Sequence, residues 1–267
     1  MKKKIMSMLL ISLTILYAIG IPALADQYEV VSLGANLKDN EKQEMLKFFG
    51  VEEGDVQLIE VTNQEEREYL EGLVPDKQIG TRAISSVYVK PLSDGEGIMV
   101  DTNNITWVSK EMFANSMVTA GIKDAKVVAA APFKVSGTAA LTGIMKGFEV
   151  ASGEVLDDDA KKVANEELVV TGDLGEEVGQ KEAATLIKEV KEEVVVKKPK
   201  DEADIMSIIK DVAKQLEIEL TDDQIAQIVE LMKKISQLNL NVDTITKQLD
   251  KIGLNVEDIK NTVKENQ

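Results

Sequence analysis

The chain contains no cysteine and no histidine. Disulfides, thiol nucleophiles, Ser-His-Asp and Cys-His relays, and zinc sites built on His or Cys are excluded with them. Aromatic residues are scarce, 4% of 267, with one tryptophan, Trp107. Enzymes that process glycans tend to line their clefts with aromatic rings, so this scarcity counts against that class. Positive charge is also in deficit: 31 basic side chains face 47 acidic ones, a net charge of −16. Binding nucleic acid through its phosphates needs clustered Lys and Arg, so nucleic acid is not an expected partner. Hydrophobic residues still make up 44%. That is enough for one large or two modest cores, and it excludes global disorder.

The first positive signal is at the N-terminus. Lys2, Lys3 and Lys4 precede a largely apolar run from Ile5 to Ile21, broken by Pro22 and followed by Ala23-Leu24-Ala25. A basic region, an apolar region and an A-x-A site define a secretory signal peptide over residues 1–25. The alternative is an uncleaved anchor, for which about seventeen apolar residues is the lower limit. Cleavage removes three lysines and no acid, so 31 basic against 47 acidic become 28 against 47, a net charge of −19 on a chain starting at Asp26. No later run is long and apolar enough to span a bilayer. The expected product is secreted, with no membrane attachment after cleavage, and stabilised by packing without cross-links.

From Tyr28 to Ser152 the pattern alternates between two periods. Strands are expected at Tyr28–Leu33, Val56–Val61, Ala83–Lys90, Ile98–Asp101 and Ala125–Ala131, the last closed by Pro132. Helices are expected at Glu41–Phe49, from a capping box at Asn63 and Glu66 to about Leu73 ahead of Pro75, at Lys110–Ala120, and from Ser136-Gly137-Thr138 onward. Asp94-Gly95 reads as a hairpin turn. Interleaved strands and helices with one hairpin predict a mixed sheet covered by helices.

Beyond it the chain reads as helical. One helix starts at Asp157, Gly172 and Gly175 predict a break, and another runs from Glu182 to about Val194. Ile205, Ile208, Ile209, Val212 and Leu216 form one apolar stripe, and Thr221 with Gln224 makes a capping box for the next helix. Two short amphipathic segments follow, separated by Gly253. The expected fold class is α+β, with an all-α C-terminal region. Its expected parts are a sheet domain at 26–153, a helical extension at 154–196, a linker at 197–200 and a helical bundle at 201–267.

The run from Trp107 to Phe148 is the most distinctive. It holds Met112, Ala114, Asn115, Ala120 and Gly121, then Ala129-Ala130-Ala131-Pro132 and Val135-Ser136-Gly137-Thr138-Ala139-Ala140-Leu141-Thr142-Gly143. With Leu33-Gly34-Ala35-Asn36-Leu37 and Phe49-Gly50-Val51, it resembles the YpuA-like secreted proteins of Firmicutes, a family classed as a domain of unknown function. The resemblance covers nearly the whole chain after the leader. It implies export and a shared fold, and it carries over no catalytic residue.

Two stretches are candidates for ligand contact. Ser136, Gly137 and Thr138 open a helix after an apolar strand, where backbone N–H groups and two hydroxyls suit an anion; simple N-capping uses the same residues. Asn103, Asn104 and Trp107 could form a ligand rim, or a turn whose indole packs on the core. Asp157-Asp158-Asp159 lacks EF-hand spacing and equally suits a helix start. Ser207 and Lys210 match a Ser-x-x-Lys spacing without its partner motifs. No catalytic constellation and no cofactor is expected, apart from weak divalent-cation binding by the acidic surface. The sequence therefore points to a non-enzymatic binding protein with an extracellular or cell-envelope partner. A carboxylate-dependent hydrolase acting on envelope polymers is the alternative.

Overall fold

A computed structural model describes residues 28–73 and 79–253. The leader, Pro75 and the last amphipathic segment around Val256, Ile259 and Val263 lie outside the described residues.

The elements run β1 (Val30–Gly34), α1 (Asp39–Phe49), β2 (Gln57–Val61), α2 (Asn63–Leu70), β3 (Ser86–Pro91), β4 (Ile98–Ile105), α3 (Lys110–Thr119), β5 (Ala125–Val135) and α4 (Thr138–Ser152). The helices α5 (Asp158–Val178), α6 (Gln180–Lys197), α7 (Glu202–Gln215), α8 (Asp222–Gln237) and α9 (Val242–Lys251) follow. The fold is α+β, a mixed five-stranded sheet followed by helices.

The strand order is β2-β1-β3-β5-β4. β1 with β2 and β4 with β5 are parallel, while β3 is antiparallel to both β1 and β5. β3 and β4 are thus not a hairpin, although the chain does turn at Gly95, whose φ is +86°. β5 lies between them, its backbone paired with β3 on one side and β4 on the other, and its Val127, Ala129 and Ala130 are fully buried between the helical layers. Pro132 does not end β5 either. The β4–β5 register slips between Asn103 and Ile105, Asn104 takes a left-handed φ of +59°, and its side-chain amide donates to the Ala131 carbonyl at 2.8 Å. A bulge tolerates a proline because it has no ladder bond for the missing N–H.

Alternation assigns the faces. Val87, Val89, Val127 and Ala129 share a core with Met112, Phe113 and Met117 of α3 and Leu141, Ile144 and Phe148 of α4. Gly143 and Gly147 let α4 sit close, since a Cβ there would stand 3.0 Å from Ser32 Oγ and from a Val89 methyl. On the opposite face, Val31, Leu33 and Ala130 pack under Met45 and Leu46 of α1. α5 and α6 lie against α3. α6, α7 and α8 build a second core from Leu186, Ile187, Val190, Ile205, Ile209, Val212, Ile228 and Met232. α9 leaves that core and inserts Ile245, Leu249 and Ile252 into the sheet core.

α5 is one unbroken helix of 21 residues. Its glycines serve close approach: a Cβ at Gly172 would meet the Trp107 ring at 2.3 Å, and one at Gly175 would stand 3.1 Å from the Gln180 backbone.

Candidate functional site

The two nominated stretches meet at one end of the sheet. The Thr106 N–H donates to the Val135 carbonyl at 2.9 Å, and the Trp107 and Val108 N–H groups share the Ser136 carbonyl at 3.2 Å. Gly137 has φ +98°, and a Cβ there would stand 2.3 Å from an Ile105 methyl. Only glycine combines that dihedral with that contact. Asn104, Trp107, Ser136, Gly137 and Thr138 therefore form one junction. Asn103 falls on the other face of the sheet, opposite Ala130 and exposed.

Trp107 is held by α5 and the first residue of α6. Its indole N–H donates to Glu176 at 2.9 Å, its ring lies over Gly172, and Gln180 donates to its carbonyl at 2.9 Å. Gly172→Ala should destabilise the fold by about 1–3 kcal/mol, the usual cost of overpacking. Urea unfolding followed by the fluorescence of Trp107, the chain's single tryptophan, measures it. An unchanged midpoint would mean that the ring moves aside without cost.

Thr138 is the first residue of α4 and is buried. Its hydroxyl donates to Glu66 at 2.7 Å, and Asn63 donates to the other Glu66 oxygen at 3.1 Å. Glu66 is 1% exposed. Burial pushes its carboxyl above the ordinary range, against the hydrogen bonds from Thr138 and Asn63. Glu66 thus brings an acceptor oxygen from within the chain to the positive end of α4. The capping box of α2 is Thr62 with Glu65, one residue earlier than the spacing of Asn63 and Glu66 predicts. That offset frees Glu66 to turn inward.

Sequence reasoning also missed a buried ion pair. Lys191 donates to Glu167 at 2.8 Å, to Thr119 at 3.0 Å and to the Asn115 carbonyl at 2.8 Å. Thr119 donates to the second Glu167 oxygen. Both charged side chains are at most 1% exposed. Burial pulls the Lys191 ammonium below its ordinary value, while Glu167 opposes the shift. Asn115, Ser116 and Thr119, polar residues among the buried positions of α3, mark a polar spot in the core but not the pair that fills it.

A third buried carboxylate, Asp124, accepts from the Gly97 N–H at 2.6 Å and from Gln248 at 3.1 Å. Burial opposes its ionisation, yet these bonds hold its carboxyl below the ordinary range. Asp157 caps α5 by accepting from the Ala160 N–H at 2.9 Å. Asp158 and Asp159 face Lys161 and Lys162. Among the described residues, no group of three or more carboxylates is arranged to hold a metal, and no helix is long and apolar enough to cross a membrane.

Comparison with known proteins gives a family but no activity. A family described as a protein of unknown function, DUF1002, matches residues 33–252. The uncharacterized protein YpuA of Bacillus subtilis (strain 168) is 44% identical over 223 residues, covering 83% of this chain and 77% of that relative. No solved structure matches. The chain belongs to the DUF1002 family, whose function is unknown.

Proposed function

We propose that the protein is exported and works outside the cell or at the envelope by binding, without catalysis. The basic and apolar leader of residues 1–25 supports export. The observation that carries the binding reading is the state of the buried carboxylates. Glu66, Asp124 and Glu167 are each closed by a different set of partners within the chain. General acid–base hydrolysis needs two carboxyls facing one substrate, and these three are committed elsewhere. The junction at Asn104, Trp107 and Ser136, with Asn103 on the neighbouring face, is the candidate contact region for an envelope partner. Weak divalent ions on the acidic surface could bridge the protein to an anionic envelope.

One observation favours the hydrolase alternative. Asp173 lines a hollow of about 250 Å³ with Glu177 and Asp223, and partial desolvation with Glu176 nearby pushes its carboxyl up. Thermal unfolding of residues 26–267 with divalent ions, phosphates and wall glycans separates the two readings, with product analysis run alongside. A ligand at a hundred times its dissociation constant should stabilise the fold by about 2.7 kcal/mol. A melting shift without product supports the binder. Release of cleaved glycan overturns it and makes Asp173 the first residue to replace.

A further inference from the structure

α1 covers only part of its face of the sheet. Among the described residues, nothing covers the rest, a floor formed by β3, β5 and β4. The strand register sets its rows: Lys90 pairs with Lys126, which pairs with Met99, and Tyr88 pairs with Val128, which pairs with Asp101. Met99 is 51% exposed, Val128 is half-buried beside Tyr88, which Phe49 of α1 covers by stacking, and Phe48 stands exposed at the end of α1. A solvent-facing strand surface is ordinarily polar, so this apolar content calls for a cover.

The charges on this floor say what kind of cover fits. Lys90 is paired with Glu29 at 2.7 Å. Among the described residues, Lys126 has no carboxylate within ion-pair distance and Asp101 has no cation within it. These four side chains sum to zero on a chain of net charge −16. Two copies of so acidic a protein repel one another over most of their surfaces, and a neutral apolar face is where that repulsion is weakest.

Lys126 and Asp101 are diagonal neighbours on adjacent strands, roughly 8 Å apart. Consider a two-fold axis lying between two such faces and crossing that diagonal at right angles through its midpoint. It sets Lys126 of each copy over Asp101 of the other. Met99 and Val128, on the opposite diagonal, then fall close to the axis, each against its own counterpart. Apolar side chains at the centre with reciprocal ion pairs around them make a self-complementary patch. We infer that this open sheet face is the contact surface for a second copy of the chain.

Sedimentation of the chain from Asp26 tests this across a concentration series. The wild-type chain should associate to a dimer. Asp101→Lys and Lys126→Asp each set like charges against each other across the axis, and each should weaken association at least about tenfold. The double exchange, Asp101→Lys with Lys126→Asp, restores opposite pairs and should recover association. Lys200→Asp, away from the sheet, should leave it unchanged. Both exchanged positions are exposed, and recovery in the double variant also shows that the strands still fold. Three results would each overturn the inference: a chain that stays monomeric throughout, a dimer insensitive to both single changes, or a double exchange that fails to recover.

Discussion

Lys191→Met is expected to remove about 3–5 kcal/mol of folding free energy, the usual result of stripping one partner from a buried ion pair. The methionine keeps the apolar stem but withdraws the ammonium from three acceptors: Glu167, Thr119 and the Asn115 carbonyl. Glu167 is 0% exposed. It must then stay charged without a cation or take up a proton, and either course costs free energy. Replacing both partners, as Lys191→Met with Glu167→Leu, should recover most of the loss, because no buried charge remains. The Thr119 hydroxyl can then turn to the Asn115 carbonyl, four residues back on the same helix. Urea unfolding of the two single variants and the double variant gives the coupling directly. A loss below about 1 kcal/mol for Lys191→Met would mean that water reaches the pair.

The sequence could not show this pair, because an isolated Lys or Glu is read as a surface residue by default. What periodicity could show, it showed well. The stripe of Ile205, Ile208, Ile209, Val212 and Leu216 is buried throughout, and the Thr221–Gln224 capping box forms. These are local features, set by side chains one or two turns apart. The failures needed distant partners. Asp94-Gly95 signals a chain reversal, but whether the returning strand pairs with the one before it depends on β5, which the chain reaches only after α3. Gly172 and Gly175 look like helix breakers until Trp107 and Gln180 come to lie against them. The candidate junction was half legible for the same reason. Trp107 and Ser136-Gly137-Thr138 stood out as residue types, whereas Glu66, which fills the start of α4, sat one position from an equally good capping acid. The spacing of Asn63 and Glu66 fits the rule as well as that of Thr62 and Glu65. The distant Thr138 hydroxyl settles which acid turns inward.

A chain stopped at Asn241 should lose the cooperative fold of the sheet region, although everything removed lies beyond α8 in the sequence. α9 contributes Ile245, Leu249 and Ile252, all at most 5% exposed, to the core shared by β4, α3 and β5. Deleting one buried Ile or Leu side chain typically costs about 2–5 kcal/mol. Three together approach the roughly 5–15 kcal/mol that holds a whole domain folded. The polar anchors go as well: Gln248 donates to Asp124, and Lys251 donates to the Gly95 carbonyl. Asp124 also accepts the Gly97 N–H, so the turns before β4 and before β5 lose a shared support. Leu249→Ala is the milder form of the same test and should cost about 2–5 kcal/mol. Trp107 supplies the readout, because it reports on the sheet end of the molecule. A matching drop in the Trp107 transition and in the far-ultraviolet helical signal would show that α9 is part of the sheet core. A truncated chain whose Trp107 transition keeps the wild-type midpoint would show instead that the tail folds apart from the sheet, and Leu249 would then have no claim on the stability of β4.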